Sequence, residues 1–218
     1  MLRIAIDGTA SAGKGTIARE VARRLDIAYI DTGAMYRSVA LMSLRKQIPW
    51  EKTEDIASLT EGLHFLFIWK EGFLRLLVNG EDVSEAIRQE EIGTAASIVS
   101  AIPKVREALV FVQKQYAQEQ SLVMDGRDIG TVVIPDAELK IFVDAELSER
   151  ANRRWKEEQS KGLNTRYQHV LLDLEERDRR DRTREVSPLL QAADARVLDT
   201  TNIGIEEGVQ QILAWVKN

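Results

Sequence analysis

The chain of 218 residues has no cysteine. That excludes a disulfide framework, thiolate metal sites and cysteine catalysis together. Its two histidines, His64 and His169, cannot build a zinc cluster of the usual kind. Proline is scarce, with four residues, and no Pro/Gly/Ser-rich linker, internal repeat or low-complexity segment divides the chain. Long apolar runs are missing too: the longest, around Leu63 to Trp69, is far too short to span a bilayer. Met1-Leu2-Arg3-Ile4-Ala5-Ile6-Asp7 does not have the form of a signal peptide, because Asp7 and the glycines after it cut off any apolar core. No basic excess is present either. The net charge of -5 argues against a general nucleic-acid binder. These absences lead to the expectation of a soluble, cytoplasmic protein with no membrane or nucleic-acid partner.

What is present fits a globular enzyme-sized fold. A 44% hydrophobic chain of this length buries roughly 70% of its unfolded surface, enough for one domain over residues 1–218 carrying insertions. No large exposed apolar stripe is evident, so a monomer is expected. Arginine is unevenly spread, with nine of 20 lying between Arg150 and Arg184. Its rigid fork of donors suits phosphate and carboxylate, although composition alone fits a solvated helix surface as well. Leu2–Ile6, Ile27–Ile30, Leu122–Asp125, Leu139–Asp144 and Val197–Asp199 are short apolar runs with Asp at or just beyond the end. Helical patterns at 14–25, 34–45, 105–119, 147–159 and 205–216 alternate with them. Alternation implies a mostly parallel five-stranded sheet covered on both faces, an α/β fold in three layers. Ligands of such sheets bind beyond the carboxyl ends of the strands. One stretch breaks the pattern. His64–Trp69 and Phe73–Val78, separated by Lys70-Glu71-Gly72 and followed by Asn79-Gly80, predict a hairpin in a small inserted subdomain.

The most specific signal is Gly8-Thr9-Ala10-Ser11-Ala12-Gly13-Lys14-Gly15-Thr16, between the first strand and the first helix. Glycines permit backbone angles closed to other residues, so the loop curls its N–H groups round a phosphate. The helix aims its N-terminus at the same anion. In this G-x-x-x-x-G-K spacing Lys14 reaches the outer phosphates and the hydroxyl, here Thr16, coordinates magnesium. A bound nucleoside triphosphate is the expectation. There is no Asn-Lys pair anywhere, so the base-reading motif of a regulatory GTPase is lacking.

Three further groups stand at predicted strand ends or on a helix: Asp31-Thr32-Gly33-Ala34-Met35-Tyr36-Arg37, Asp125-Gly126-Arg127-Asp128-Ile129-Gly130-Thr131, and Arg177-Asp178-Arg179-Arg180-Asp181-Arg182-Thr183-Arg184. In the last, Arg177, Asp181 and Arg184 share one helical face, while Glu176 with Arg180 and Asp178 with Arg182 are spaced for ordinary ion pairs. Taken singly these could be a cap, a turn and a solvated surface. Beside a phosphate loop they predict an anionic acceptor. Asp125 could hold magnesium through water or merely end its strand.

Together with Lys104-Val105-Arg106-Glu107-Ala108-Leu109, these segments resemble the bacterial cytidylate kinases, in order and over essentially the whole chain. The resemblance implies a P-loop kinase fold, an inserted nucleoside monophosphate-binding subdomain over 34–98, a helical lid over 148–166, and phosphoryl transfer from ATP with magnesium to CMP or dCMP. By resemblance, Asp128 and Thr32 accept from the cytosine amine, and Arg106 donates to its ring nitrogen and carbonyl. Tyr36 joins this set. Arg37, Arg127 and Arg184 hold the acceptor phosphate, and Arg177, Asp181 and Ser97 lie at the sugar. Cytosine offers an amine donor beside two acceptors, which matches this set and disfavours uracil. Lys14, Arg127 and Arg184, with Arg150, Arg153 and Arg154 resembling the arginines of a nucleotide-kinase lid, would neutralise the charge in transit; no nucleophilic side chain is needed. Thr9 and Ser11 depart from the Pro and Gly that many relatives carry, inside a loop where only backbone donors are required. Thr32 stands where some relatives carry Ser, an exchange that keeps the hydroxyl. Two competing functions remain open from the residues: a P-loop kinase for UMP or a shikimate-like acceptor, and a non-catalytic ATP sensor, for which a full set of acceptor arginines has no use.

Overall fold

The computed structural model describes residues 1–70 and 73–217. In chain order the elements are β1 (Arg3–Gly8), α1 (Lys14–Leu25), β2 (Ala28–Asp31), α2 (Thr32–Arg45) and α3 (Thr53–Glu61). Then come β3 (Phe65–Lys70), β4 (Phe73–Val78), β5 (Glu81–Asp82), α4 (Glu90–Val99) and α5 (Pro103–Glu119). The remainder is β6 (Leu122–Gly126), β7 (Leu139–Asp144), α6 (Leu147–Ser160), α7 (Tyr167–Thr183), β8 (Arg196–Asp199) and α8 (Ile205–Val216). No helix among the described residues is long and apolar enough to cross a membrane.

Two compact units divide the chain, Met1–Tyr29 with Gln120–Asn218, and Ile30–Glu119. The first is built on a five-stranded sheet in the order β2-β6-β1-β7-β8. The central strand β1 runs parallel to β6 and to β7, and β7 runs parallel to β8. Apolar runs without alternation belong to strands covered on both faces, and Ile4, Ala5 and Ile6 are indeed fully buried. Helix α1 turns Ile17, Ala18, Val21 and Ala22 inward and packs against α8. Gly208 permits that approach, since a Cβ there would lie 2.9 Å from Ile17 Cδ1. The α/β architecture read from the sequence is therefore the observed one.

The second unit is helical with a three-stranded sheet, β3-β4-β5. β3 and β4 are antiparallel, with Phe65 opposite Val78 and Trp69 opposite Leu74. Glu71-Gly72, the expected turn between them, lies outside the described residues. Asn79 (φ 51°) and Gly80 (φ 84°) connect β4 to β5 with both residues left-handed, which is the demand of a type I′ hairpin turn. Met35, Val39, Ile56, Val105 and Leu109 share the core of this unit and are all sealed from solvent. The segment 34–98 falls inside this unit; 148–166 takes in most of α6 and the turn after it.

Candidate active site

Phosphate-loop geometry follows from a few residues. At Gly8 (φ +150°) a Cβ would stand 1.9 Å from the Val143 carbonyl oxygen, so no side chain fits. Thr9 is buried; its N–H donates to Val143 O (3.3 Å) and its hydroxyl to Asp144 Oδ1 (2.6 Å). Ser11 (φ 61°) and Gly13 (φ 81°) are both left-handed. Residues of that hand in a short loop turn successive N–H groups to one side. The carbonyls face the other way and have partners: Ala10 O accepts from Arg150 Nη1 (3.2 Å) and Ala12 O from Thr200 Oγ1 (2.9 Å). Thr200 was not singled out from the sequence; it follows an apolar strand and resembles any turn threonine. α1 begins at Lys14, with its N-terminus open to this loop.

Lys14 Nζ stands 3.3 Å from Asp125 Oδ2, and the Asp125 carboxylate also accepts from Tyr29 Oη (2.9 Å). A Cβ on Gly15 would lie 3.5 Å from that same oxygen, so Asp125 faces the first turn of α1, where Thr16 is exposed. Among the described residues no three or more His, Cys, Asp or Glu side chains form a metal cage. Magnesium carried by nucleotide phosphates takes only one or two protein oxygens, and the carboxylate of Asp125 and hydroxyl of Thr16 are donors of that hard kind.

Beyond β6 lies a buried chain of charge. Arg127 Nε donates to Asp181 Oδ2 (2.8 Å), and Arg127 Nη1 to Gly126 O (3.1 Å). Arg184 stands 3.8 Å from Asp181 Oδ1 and 3.7 Å from Asp128 Oδ1. Burial would raise the Asp181 carboxyl, but Arg127, Arg177 and Arg184 together hold it below the ordinary carboxylate range. For Arg127 burial acts downward, and Asp181 outweighs it to leave the guanidinium raised. Arg177 and Asp181 share a face of α7, as their spacing predicts. Arg184 does not continue that helix: α7 stops at Thr183, and Arg184 takes an extended backbone while its Nε reaches Ser187 O (2.7 Å).

The second unit carries its own set. Asp31 caps α2 by accepting from Ala34 N (2.8 Å) and also accepts from Arg37 Nη2 (2.8 Å). A Cβ on Gly33 would press on both partners at 3.1 Å, so glycine leaves room for the pair. Arg106, a guanidinium only 1% exposed, lies 5.3 Å from the ring centre of Tyr36 and donates to Ser100 O (3.2 Å). Thr32 on α2 and Ser97 on α4 are also buried. The Arg106 guanidinium is thus held in part by an aromatic face and a backbone carbonyl.

Arg150, Arg153 and Arg154, the arginines expected in a lid, have partners within the first unit. Arg150 is buried against Asp178 (2.6 Å), Arg153 binds Glu149 and the Thr200 carbonyl, and Arg154 binds Glu158 (2.6 Å). The Asp178–Arg182 pair expected from spacing is replaced by this Arg150–Asp178 pair, because Asp178 faces α6 rather than solvent. Glu176 does meet Arg180, at 3.5 Å.

A phosphate loop after the first strand of a parallel sheet, with a buried arginine–carboxylate chain at the strand ends, defines a P-loop kinase. The fold agrees with solved structures of low identity. An uncharacterized protein from Eubacterium ventriosum has a TM-score of 0.59 at 11% identity, covering 100% of this chain and 99% of the other. Shikimate kinase from Bacteroides thetaiotaomicron has a TM-score of 0.50 at 12% identity, with coverage of 100% and 99%. The sequence is more specific. A family model described as cytidylate kinase matches residues 4–218. A cytidylate kinase of Yersinia enterocolitica is 44% identical over 214 residues, 98% of this chain and 93% of that protein. The chain belongs to the cytidylate kinase family, which makes it a nucleoside monophosphate kinase with ATP as phosphate donor.

Proposed function

We propose that the protein transfers the γ-phosphate of ATP to CMP or dCMP, giving ADP and CDP or dCDP, as a cytoplasmic monomer. The observation that carries this reading is the buried chain Arg127–Asp181–Arg184–Asp128, whose charged groups balance one another. An ATP-binding module without an acceptor has no use for two buried guanidiniums. Arg184 stands at the long limit of ion pairing, 3.7–3.8 Å from its carboxylates, a geometry that a phosphate can improve on with bidentate hydrogen bonds.

In this reading residues 8–16 hold the ATP phosphates through backbone N–H groups, with Lys14 on the outer ones. Thr16, and Asp125 through water, would hold magnesium, which supplies positive charge to the phosphates when bound. Arg37, Arg127 and Arg184 orient the acceptor phosphate. Asp128 and Thr32 accept from the cytosine amine, Arg106 donates to the ring nitrogen and carbonyl over Tyr36, and Arg177, Asp181 and Ser97 meet the sugar. Transfer then needs positioning and charge neutralisation only. Residues 34–98 serve as the acceptor subdomain. Residues 148–166 serve as the lid, with Arg153 and Arg154 exchanging their present partners for the triphosphate, and Arg150 acting from beneath the loop. Closure over the nucleotides excludes water, which would otherwise accept the phosphate.

The experiment is ADP release from Mg-ATP with CMP, dCMP, UMP, AMP, GMP or shikimate offered one at a time. Turnover led by CMP and dCMP is expected. Turnover led by another acceptor would discard the cytosine assignment, and ATP binding without turnover would leave a sensor.

A further inference from the structure

We propose that Asp7 is a positioning residue for recognition of the acceptor base: its carboxylate holds the turn that presents Asp128. Asp7 is the fifth residue of β1, beside Gly126 of β6 and Phe142 of β7, and is 4% exposed. The residues before it, Ile4, Ala5 and Ile6, are apolar and sealed, as the centre of a parallel sheet demands. A carboxylate in that row is costly, and burial pushes its pKa up to about 6 although two backbone N–H groups and the charge of Lys14 act the other way. Asp128 adds to the upward push. A charge retained against such opposition calls for a task.

The hydrogen bonds identify the task. Asp7 Oδ1 accepts from Ile129 N and Oδ2 from Gly130 N, both at 2.8 Å. Ile129–Val133 is a wide turn of five residues wound with i→i+5 bonds. In it Asp128 O accepts from Val132 N (2.9 Å) and Val133 N (3.3 Å), and Ile129 O from Ile134 N (2.8 Å). The first N–H groups of any such turn have no partner within it, and here Asp7 supplies both. The peptide joining Asp128 to Ile129 is thereby fixed at each end, its C=O by the turn and its N–H by Asp7. Asp128, at φ -143° and ψ 23°, belongs to neither helix nor strand, so nothing regular sets the direction of its Cα–Cβ bond. The carboxylate of Asp7 sets it instead. A Cβ on Gly130 would make ordinary contact with Asp7 Oδ2 at 3.4 Å and a tight one with Lys140 Cδ at 3.2 Å, so Gly130 leaves room for the Lys140 stem beside the turn. Asp7 also directly precedes Gly8, so one residue of β1 ties the start of the donor loop to the turn that reads the acceptor.

This rests on the assignment of Asp128 to the cytosine amine. The test compares wild type, Asp7→Asn and Asp128→Ala in steady-state kinetics with CMP, UMP and ATP, alongside thermal melting. Asn has the shape of the protonated acid but turns an N–H donor toward a backbone N–H. KM for CMP should rise about tenfold and the preference for CMP over UMP fall about tenfold, while KM for ATP stays within about twofold and the Tm does not drop. A role confined to stability would instead lower the Tm and kcat and leave KM for CMP and the preference unchanged; that result overturns the proposal. So does a wild-type preference in Asp7→Asn when Asp128→Ala has lost it. A preference unaltered in Asp128→Ala would instead refute the base assignment, and the proposal with it. Asp7→Ala, which removes both acceptors without adding a donor, is the second variant should Asp7→Asn not fold; a threefold or greater rise in KM for CMP, about 0.7 kcal/mol, is expected, and an unchanged KM overturns the proposal.

Discussion

Arg150 and Asp178 meet at 2.6 Å with both side chains nearly sealed from solvent. The pair joins α6 to α7, and the same guanidinium donates to Ala145 O and to Ala10 O of the phosphate loop. Removing one member leaves an uncompensated buried charge. Asp178→Ala should therefore destabilise the protein by about 3–5 kcal/mol, read as a lowered urea midpoint. A loss below about 1 kcal/mol would mean that Arg150 finds water or another carboxylate.

Gly8→Ala should abolish the loop. The added methyl would sit 1.9 Å from the Val143 carbonyl, in a backbone conformation that L-residues rarely adopt. A loss of at least about 4 kcal/mol is expected, with no ATP binding by calorimetry in any folded fraction.

Ser11 is the opposite case. Its φ of 61° is left-handed with a side chain in place, which costs about 1 kcal/mol. Ser11→Gly relieves that cost and loosens the unfolded chain, for a net gain of about 0.5 kcal/mol. A small rise in Tm with unchanged ATP affinity is the expected result, and a fall in Tm would contradict it.

On the proposed base assignment, Asp128→Ala and Arg106→Ala should each lose CMP turnover by about a hundredfold or more while binding ATP as wild type does, because each would leave a polar edge of the base without its buried partner. ADP release and ATP titration calorimetry check the two halves separately. Wild-type turnover in either variant would remove that residue from the base-binding set.

Asp7 also imposes a pH dependence on folding. Its folded pKa of about 6 exceeds the ordinary 3.8, so between those values the folded chain holds a proton that the unfolded chain has released. Stability contributed by this group is present below about pH 4 and is lost as the pH rises to about 6, a change of about 3 kcal/mol. Lys14 and Asp128 are the charges that bear on it, acting in opposite directions. The wild-type stability measured relative to Asp7→Asn should fall across that window and then level off. A flat difference would show that Asp7 is ionised in the folded protein throughout.

Much of the fold was legible because apolar runs and helical periodicity carry it directly. The limits expected for α1 and α8, 14–25 and 205–216, are the observed ones. The phosphate loop was equally plain, since its glycines occupy the positions where backbone geometry demands them. The helix expected over 34–45 begins two residues earlier, at Thr32, with Asp31 as its cap; the apolar pattern starts only at Ala34 and does not mark the first turn. α3 and α4 escaped notice: α3 is nine residues long and buries only Ile56, Ala57 and Thr60, and α4 has no side-chain cap to announce its start. The site was less legible. Asp7 ends an apolar run just as Asp125, Asp144 and Asp199 do, and only the three-dimensional pairing with Ile129 and Gly130 distinguishes it. Asp178 offers two neighbours by helical spacing, and the sequence holds no sign that it faces Arg150.

The place of β1 at the middle of its sheet has a consequence for synthesis. Residues 30–119 are contiguous, so that unit can assemble from its own chain as it leaves the ribosome. β1 must wait: its neighbours begin at Leu122 and Leu139, and the loop after it leans on Val143 and Asp144. β1, made before all of its neighbours, is thus among the last elements to find its place. A nascent chain carries its donor loop without these supports until β6, β7 and Thr200, which holds the Ala12 carbonyl, have been made.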